Sequence, residues 1–217
     1  MSIAPDRSPM ISVLDYGCGN IQSVIRMLEK VGGEAVKIST PAEVQNAQVL
    51  ILPGVGAFDH GMVELAARGL DRTLDRIAVE GRVPILGICL GMQLMCKGSH
   101  EGSLPGLGWF NARATRFPDA AQTGLPVPHM GWNTLRTVKE NPLLPHDEEE
   151  QRYYFVHSYR IHCEDSNDIV ATCDYGSEFV AAFQRGNLFG VQFHPEKSHR
   201  FGMAMMRRFI EWVHVKA

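Results

Sequence analysis

A cysteine between two glycines, placed where an apolar run gives way to a helical pattern, is the feature of this sequence best suited to chemistry. Residues 83–88 predict a buried strand, and its end overlaps the motif Gly-x-Cys-x-Gly, formed by Gly87, Cys89 and Gly91. This is the thiol counterpart of the nucleophile elbow, a sharp strand-to-helix turn that needs small neighbours. The sulfur would lie at the positive end of a helix, which favours a thiolate. By itself, the motif fits a buried structural cysteine equally well.

A histidine and a carboxylate about a hundred residues downstream strengthen the catalytic interpretation. Residues 190–193 predict a second apolar strand, and His194 and Glu196 stand at its end. A thiol nucleophile needs a general base, and the base needs an orienting carboxylate. We therefore predict that Cys89, His194 and Glu196 form a triad. His157 is the competing base, but no carboxylate lies beside it in the sequence.

Two motifs together resemble those of the class I, or triad-type, glutamine amidotransferases. They are residues 87–93 and 193–196. Four further segments look like those of the glutaminase subunits of imidazole glycerol phosphate synthases: 53–58, 128–133, 154–159 and 194–198. The resemblance runs from about Met10 to the C-terminus. It implies hydrolysis of L-glutamine to glutamate and ammonia by Cys89, without a metal or organic cofactor.

The glycine-rich segment after the third predicted strand is a candidate oxyanion strand. Gly54, Val55 and Gly56 could aim backbone N–H groups at the developing oxyanion, together with the N–H of Leu90. A simple βα loop is the alternative. Because Gly54 has no Cβ, we expect that the Gly54–Val55 peptide can rotate and so switch the site on or off.

The resemblance also implies contacts to the substrate and to a partner. Gln93 and Glu101 match positions that recognise the amino-acid end of glutamine, although Glu101 could also be a solvated surface residue. His157, Ser158 and Tyr159 would shape the glutamine pocket.

Ammonia would be lost to water without a nearby acceptor site, and no phosphate-binding loop or second domain is evident in the chain. The resemblance implies a heterodimer with a cyclase subunit, a (β/α)8 barrel that makes imidazole glycerol phosphate and aminoimidazole carboxamide ribotide. Residues 128–133 predict a turn with side chains typical of interfaces, although Trp132 could instead pack inward. The expected contact residues are Asn20, His129, Met130, Trp132, Asn133, Tyr154 and Lys197.

Composition excludes several other classes. The chain has 217 residues, 45% of them hydrophobic, and a net charge of -3. We expect no nucleic-acid or membrane partner. Five cysteines at irregular spacing predict neither a disulfide framework nor a zinc site. The N-terminus lacks a signal-peptide pattern, so we expect a cytoplasmic protein. Residues 1–9 predict a disordered tail and residues 10–217 a single amidotransferase domain.

The elements that must position these residues alternate as βαβα in the first half. Predicted strands 10–14, 35–39, 49–52 and 83–88 are apolar, and helices are expected at 21–31 and within 59–80, broken at Gly69. The second half predicts mostly antiparallel strands, at 109–117, 134–138, 153–162, 169–173, 179–184 and 188–193, before a final helix at 199–213. The predicted class is α/β, a flavodoxin-like, mostly parallel mixed sheet with helices on both faces and an antiparallel extension.

Three rival interpretations remain open. Amidotransferases of the anthranilate or GMP synthase type usually carry histidine where Met92 stands and lack the Lys197 pattern. A non-catalytic binding protein would not need Cys89, His194 and Glu196 together. Cysteine peptidases and chaperone-like relatives lack the His-Pro-Glu arrangement.

Overall fold

A computed structural model describes residues 9–146 and 151–216. In these residues there are thirteen strands and seven α-helices. The strands are β1 (Ile11–Leu14), β2 (Ala35–Ile38), β3 (Val49–Gly54), β4 (Ile85–Cys89), β5 (Cys96–Ser99), β6 (Phe110–Arg116), β7 (His129–Thr134), β8 (Arg136–Thr137), β9 (Arg152–His157), β10 (Tyr159–Cys163), β11 (Ile169–Asp174), β12 (Glu178–Arg185) and β13 (Leu188–Val191). The helices are α1 (Ile21–Lys30), α2 (Pro41–Gln45), α3 (Phe58–Ala67), α4 (Leu70–Glu80), α5 (Leu90–Leu94), α6 (Ala120–Thr123) and α7 (His199–Lys216).

One large mixed sheet organises the molecule, in the order β2-β1-β3-β4-β13-β12-β10-β6-β5. The first five of these strands are mutually parallel, and β12, β10 and β6 extend the sheet in antiparallel pairs. β11 pairs with β12 and with β8, while β7 and β9 form a separate antiparallel pair. The predicted mixed α/β class with an antiparallel extension is confirmed.

The inner parallel strands β1, β3 and β4 are buried on both faces, as their largely apolar sequences require, whereas the edge strand β2 leaves Val36 and Lys37 exposed. Along β3, Val49 and Ile51 join the core beneath α1 and α7, whereas Leu50 and Leu52 join the core beneath α3 and α4. This alternation places helices on both faces of the sheet and leaves its carboxyl edge open for a site.

Local sequence explains the helix boundaries. The side chain of Asn20 accepts a hydrogen bond from Ser23 N and caps α1. Gly69, with φ of +64°, separates α3 from α4 at the predicted break. The sequence analysis missed α2, although Thr40 and Glu43 form a capping box at its start.

Two predicted elements were wrong in the second half. Residues 128–133 do not form a turn, because 129–133 lie in β7 and pair along their whole length with β9. The single strand predicted over 153–162 is two strands, β9 and β10, which pair with different neighbours and part at Ser158. Of the predicted tail, residues 1–8 lie outside the described residues and Pro9 is buried. No helix within 9–146 or 151–216 is long and apolar enough to cross a membrane.

Candidate active site

The predicted elbow is a strained strand-to-helix turn. β4 ends at Cys89, which has φ of +53° and ψ of -109°, and α5 begins at Leu90. A non-glycine residue with positive φ is costly and is typical of functional sites. A Cβ on Gly91 would overlap the carbonyl oxygen of Leu52, and one on Gly87 would lie 2.9 Å from the Gly91 carbonyl carbon. Both glycines are therefore required by close packing, as the motif predicts.

The base and its carboxylate lie beside the elbow because β13 is the parallel neighbour of β4. Val191 pairs with Ile88, so the chain leaving β13 passes the end of β4 at the same edge. There, Nδ1–H of His194 donates to Oε1 of Glu196 at 2.7 Å, and both side chains are buried. His194 Nε2 is buried and makes no hydrogen bond with a described residue, which leaves it available to the Cys89 thiol.

The electrostatics of this pair favour a protonated base. Burial opposes the charge on His194, but its interactions with Cys89 and Glu196 outweigh burial and raise its pKa to about 10. A protonated imidazole next to the sulfur is the partner that a thiolate nucleophile requires. The arrangement therefore places a positively charged imidazole beside the sulfur at neutral pH.

A serine that the sequence analysis did not single out fixes the backbone at His194. Ser198 Oγ donates to the carbonyl oxygen of His194 at 2.6 Å and accepts from Tyr154 N at 2.9 Å. His194 N in turn donates to Tyr154 O at 2.9 Å. Two of these hydrogen bonds tie the catalytic segment to Tyr154 on β9, and the third fixes the segment internally. The lone serine after the His-Pro-Glu-Lys run was the only signal in the sequence.

A cavity of about 490 Å³ opens onto the sulfur. Most of the predicted oxyanion and substrate residues line it, which brings together segments far apart in the sequence. The lining residues are Val55, Gly56, Cys89, Leu90, Gln93, Glu101, Pro128, Val156, His157, Ser158, Tyr159 and Lys197.

The oxyanion segment follows β3, the other parallel neighbour of β4. Gly54 pairs with Cys89 in the sheet and is buried behind the cavity, whereas Val55 and Gly56 line it. A Cβ on Gly54 would overlap the Tyr16 hydroxyl and lie 2.8 Å from Leu90 Cβ. Glycine at position 54 is thus demanded by packing against the elbow, and Gly54→Ala cannot isolate a peptide rotation. Gly56 has φ of +113° and free space around it.

Glu101 and Gln93 both line the cavity but differ in their exposure to solvent. Glu101 is exposed, and its Oε2 accepts from the first N–H of α3, on Phe58, at 2.8 Å. Gln93 is buried and donates from Nε2 to the carbonyl oxygen of Tyr159 at 3.3 Å. A carboxylate therefore stands at the solvent side, and a fixed amide lies deep within.

His157 is not placed to act as the base. Its Nδ1–H donates to Tyr159 O at 2.7 Å, and its Nε2 faces Nδ1 of His129 at 3.1 Å. Burial is the main cause that lowers the pKa of His157 to about 3 and that of His129 to about 4. Both imidazoles are neutral at physiological pH and hold the wall of the cavity.

The predicted partner residues divide between exposed and buried positions. On β7, Met130 and Trp132 are 61% and 39% exposed, but His129 is only 2% exposed. His129 stacks between Phe155 and Tyr175, at centroid distances of 4.8 and 4.0 Å. The expectation that His129 contacts a partner is therefore corrected: the alternation of β7 directs it into the core.

The other predicted contact residues stay near the surface. Asn20 and Lys197 are exposed, and Asn133 is half-buried with its amide donating to Asp174 O at 2.8 Å. Tyr154 is half-buried beneath the ammonium of Lys197, 6.0 Å from the ring centroid. Trp132 stacks on His199, at 5.5 Å, rather than packing into the core.

No group of three or more histidine, cysteine, aspartate or glutamate side chains that could hold a metal ion occurs in the described part of the chain. All five cysteines are free.

Comparison with known proteins identifies the class that this fold and site define. Residues 12–212 match the family model described as "Glutamine amidotransferase class-I". Among solved structures with the same fold, a glutamine amidotransferase gives a TM-score of 0.72 at 17% identity, covering 94% of this chain and 98% of that one. PurLQS from Thermotoga maritima gives a TM-score of 0.71 at 21% identity, covering 96% of this chain and 98% of that one.

Curated relatives are more similar in sequence. Imidazole glycerol phosphate synthase subunit HisH 2 of Pseudomonas aeruginosa is 47% identical over 204 residues, which cover 94% of this chain and 100% of the relative. The protein of the same name from Methanococcus maripaludis is 45% identical over 202 residues, covering 93% and 99%. The chain belongs to the class-I glutamine amidotransferases and, within them, to the family of HisH subunits.

Proposed function

We propose that this chain is the glutaminase subunit of an imidazole glycerol phosphate synthase and hydrolyses L-glutamine to glutamate and ammonia. The observation that carries the proposal is the buried His194–Glu196 pair beside Cys89, which stands in a positive-φ elbow at the edge of a cavity of about 490 Å³. The relatives named as HisH subunits support the pathway.

The reaction begins with attack of the Cys89 sulfur on the side-chain amide carbon of glutamine. The carbonyl electrons move to the oxygen, and His194 gives its proton to the leaving nitrogen, so that ammonia departs and a thioester remains. Water then adds to the thioester carbon while His194 accepts its proton, and glutamate leaves as the C–S bond breaks. The N–H of Leu90 and an N–H of residues 54–56 hold each oxyanion.

The cavity suggests how glutamine is held. Glu101, exposed at the solvent side, would pair with the α-ammonium group of the substrate. Gln93 and residues 157–159 line the same cavity and would contact the rest of the substrate. The side-chain amide would then lie over the Cys89 sulfur.

The product ammonia requires an acceptor site, which we assign to a separate cyclase subunit with a (β/α)8 barrel. The partner would cover the mouth of the cavity. We assign Met130, Trp132, Tyr154 and Lys197 to this interface, of which Lys197 lines the cavity, with Asn20 and Asn133 as further contacts. Aromatic residues and methionine are enriched at interface cores, and the exposed side chains of Met130 and Trp132 fit that composition. A reducing compartment such as the cytoplasm would preserve the free thiol.

Mixing the purified chain with the cyclase subunit, its ribotide substrate and glutamine tests the proposal. Wild type should yield glutamate and imidazole glycerol phosphate. Cys89→Ala should abolish the glutamine-dependent reaction, while synthesis from added ammonium salt should persist. Cys173→Ala, which removes a buried thiol from β11 outside the site, is the matched control. Glutamine use by Cys89→Ala would refute the assignment of the nucleophile.

A further inference from the structure

A buried amide stands against the catalytic sulfur and has no role in the reaction described so far. Gln192 is 0% exposed, between Val191 and Phe193 in an otherwise apolar segment. Its backbone N–H already pairs with Ala181 O at 2.9 Å. Burying an amide side chain is unfavourable unless both of its ends are hydrogen-bonded. The partners of Gln192 therefore indicate why it is there.

The orientation of this amide follows from a backbone carbonyl at the other end of the same hydrogen-bond network. Tyr159 O can only accept, so the atom of Gln93 that faces it at 3.3 Å must be Nε2. The same Nε2 contacts the side chain of Gln192 at 3.1 Å, so the atom of Gln192 at that contact must be Oε1. Gln192 Nε2 is then left to point the other way.

That nitrogen lies 3.7 Å from the Sγ atom of Cys89. A hydrogen bond to sulfur is long because sulfur is large, and an N–H donated to it stabilises the anion more than the neutral thiol. His194 supplies positive charge to the same sulfur. The neutral amide of Gln192 provides a second donor whose protonation state does not change with pH.

The network also fixes which end of Gln93 meets the substrate. Its Nε2 donates to both Tyr159 O and Gln192 Oε1, which uses both amide hydrogens. Oε1 is the remaining polar atom, and Gln93 lines the cavity. Gln93 thus presents an acceptor, suited to an N–H group of a bound ligand.

We propose that Gln192 stabilises the Cys89 thiolate by donating to Sγ and, through its Oε1, orients Gln93 as an acceptor toward the substrate. The second half rests on the proposed function, because it concerns the bound glutamine. The first half does not, since it concerns only the state of the sulfur.

Two variants separate these roles. Gln192→Met keeps a long unbranched side chain but removes both the donor to sulfur and the acceptor for Gln93. Gln192→Glu keeps an acceptor for Gln93 but replaces the donor with a carboxylate that repels a thiolate. Gln184→Leu is the control, because Gln184 on β12 bonds to Asn141 and Gly186 away from the site.

The claim that Gln192 stabilises the Cys89 thiolate can be tested without glutamine. The isolated chain is alkylated with iodoacetamide across a pH series, and the Cys89 peptide is quantified by mass spectrometry. A hydrogen bond to a charged group corresponds to about a tenfold change, so the midpoint of the profile should rise by about 1 pH unit in Gln192→Met. It should rise further in Gln192→Glu and stay unchanged in Gln184→Leu.

Steady-state kinetics of the complex with the cyclase tests the claim that Gln192 orients Gln93 toward the substrate. Gln192→Met should raise the KM for glutamine severalfold, whereas Gln192→Glu should lower kcat with little change in KM. Alkylation profiles that coincide with wild type in both variants would overturn the proposal and leave Gln192 a packing residue. If one variant fails to fold, the profile of the other decides. A shifted profile in a protein that does not use glutamine would refute the proposed function alone.

Discussion

Stability against acid should depend on the buried pair of His129 and His157, of which His157 lines the cavity. His129 and His157 share a hydrogen bond at 3.1 Å, and each imidazole needs its acceptor nitrogen unprotonated for the chain Asn133 to His129 to His157 to Tyr159 to persist. Protonation of either ring would set two N–H groups against each other in a buried site. We therefore expect that unfolding becomes easier as the pH falls.

The magnitude for His129 follows from its folded-state pKa of about 4, against 6.5 as the ordinary value. Because the folded-state pKa is lowered, this contribution to stability is complete above pH 6.5 and is lost as the pH falls toward 4. Each pH unit between these values costs about 1.4 kcal/mol for one group. From about pH 7.5 to about pH 5, wild type should lose about 2 kcal/mol through His129.

His129→Gln removes this titration but keeps an N–H that can donate to His157. Urea unfolding of both proteins across that pH range should give free energies of unfolding whose difference narrows by about 2 kcal/mol toward low pH. Contributions from groups that do not contact His129 cancel in the difference. His60→Gln, an exposed position on α3, should run parallel to wild type. A pH-independent difference for His129→Gln would show that His129 is not held neutral in the native state.

Three further perturbations test the site and the partner face. Glu196→Gln should lower glutaminase turnover by about 10²-fold, which is less than a serine triad loses without its orienting carboxylate, because a thiol is intrinsically more nucleophilic. The alkaline limb of the pH–rate profile should move to lower pH, since Glu196 helps raise the His194 pKa. A loss of turnover as complete as that of Cys89→Ala would contradict this reasoning. We expect the cyclase to stimulate the glutaminase through a rearrangement of residues 54–56. Gly56→Ala meets no atom but strains a φ of +113°, so it should lower the cyclase-stimulated rate by about tenfold or more and the rate of the isolated chain far less. Equal losses of the two rates would place the rearrangement elsewhere. Trp132→Ala should raise the Kd for the cyclase, measured by calorimetry, about tenfold or more, whereas Val79→Ala at an exposed position of α4 should not change it. Equal affinities of Trp132→Ala and wild type would show that Trp132 lies outside the interface.

Much of the parallel half of the fold was predictable, because its signals are local. Strands buried on both faces are continuous apolar runs, and Gly69 separates two helices because glycine readily adopts its φ of +64°. The elbow is local too, since the glycines around Cys89 are required by contacts within a few residues and one neighbouring strand. Short sequence windows contain this information.

Two segments of the second half were predicted wrongly because strand pairing, rather than local sequence, decides their structure. Residues 129–133 carry a glycine with φ of +136° at Gly131, a turn signal, yet β9 offers a partner along the whole segment and makes it a strand. The same pairing sets which side chains face inward. His129 therefore enters the core although Met130 and Trp132, on either side of Gly131, stay exposed.

The site itself combines both kinds of information. Register places Gly54 beside Cys89 on one side and Val191 beside Ile88 on the other, so the oxyanion segment and the base must flank the nucleophile once β3, β4 and β13 are neighbours. A slip by one residue would reverse every side chain along a strand and bury the apolar set on the wrong face. The positions of the reacting groups thus follow from backbone pairing and can be anticipated from strand ends. Their protonation states do not, because they depend on buried pairs such as His194 with Glu196, which arise only when distant segments meet.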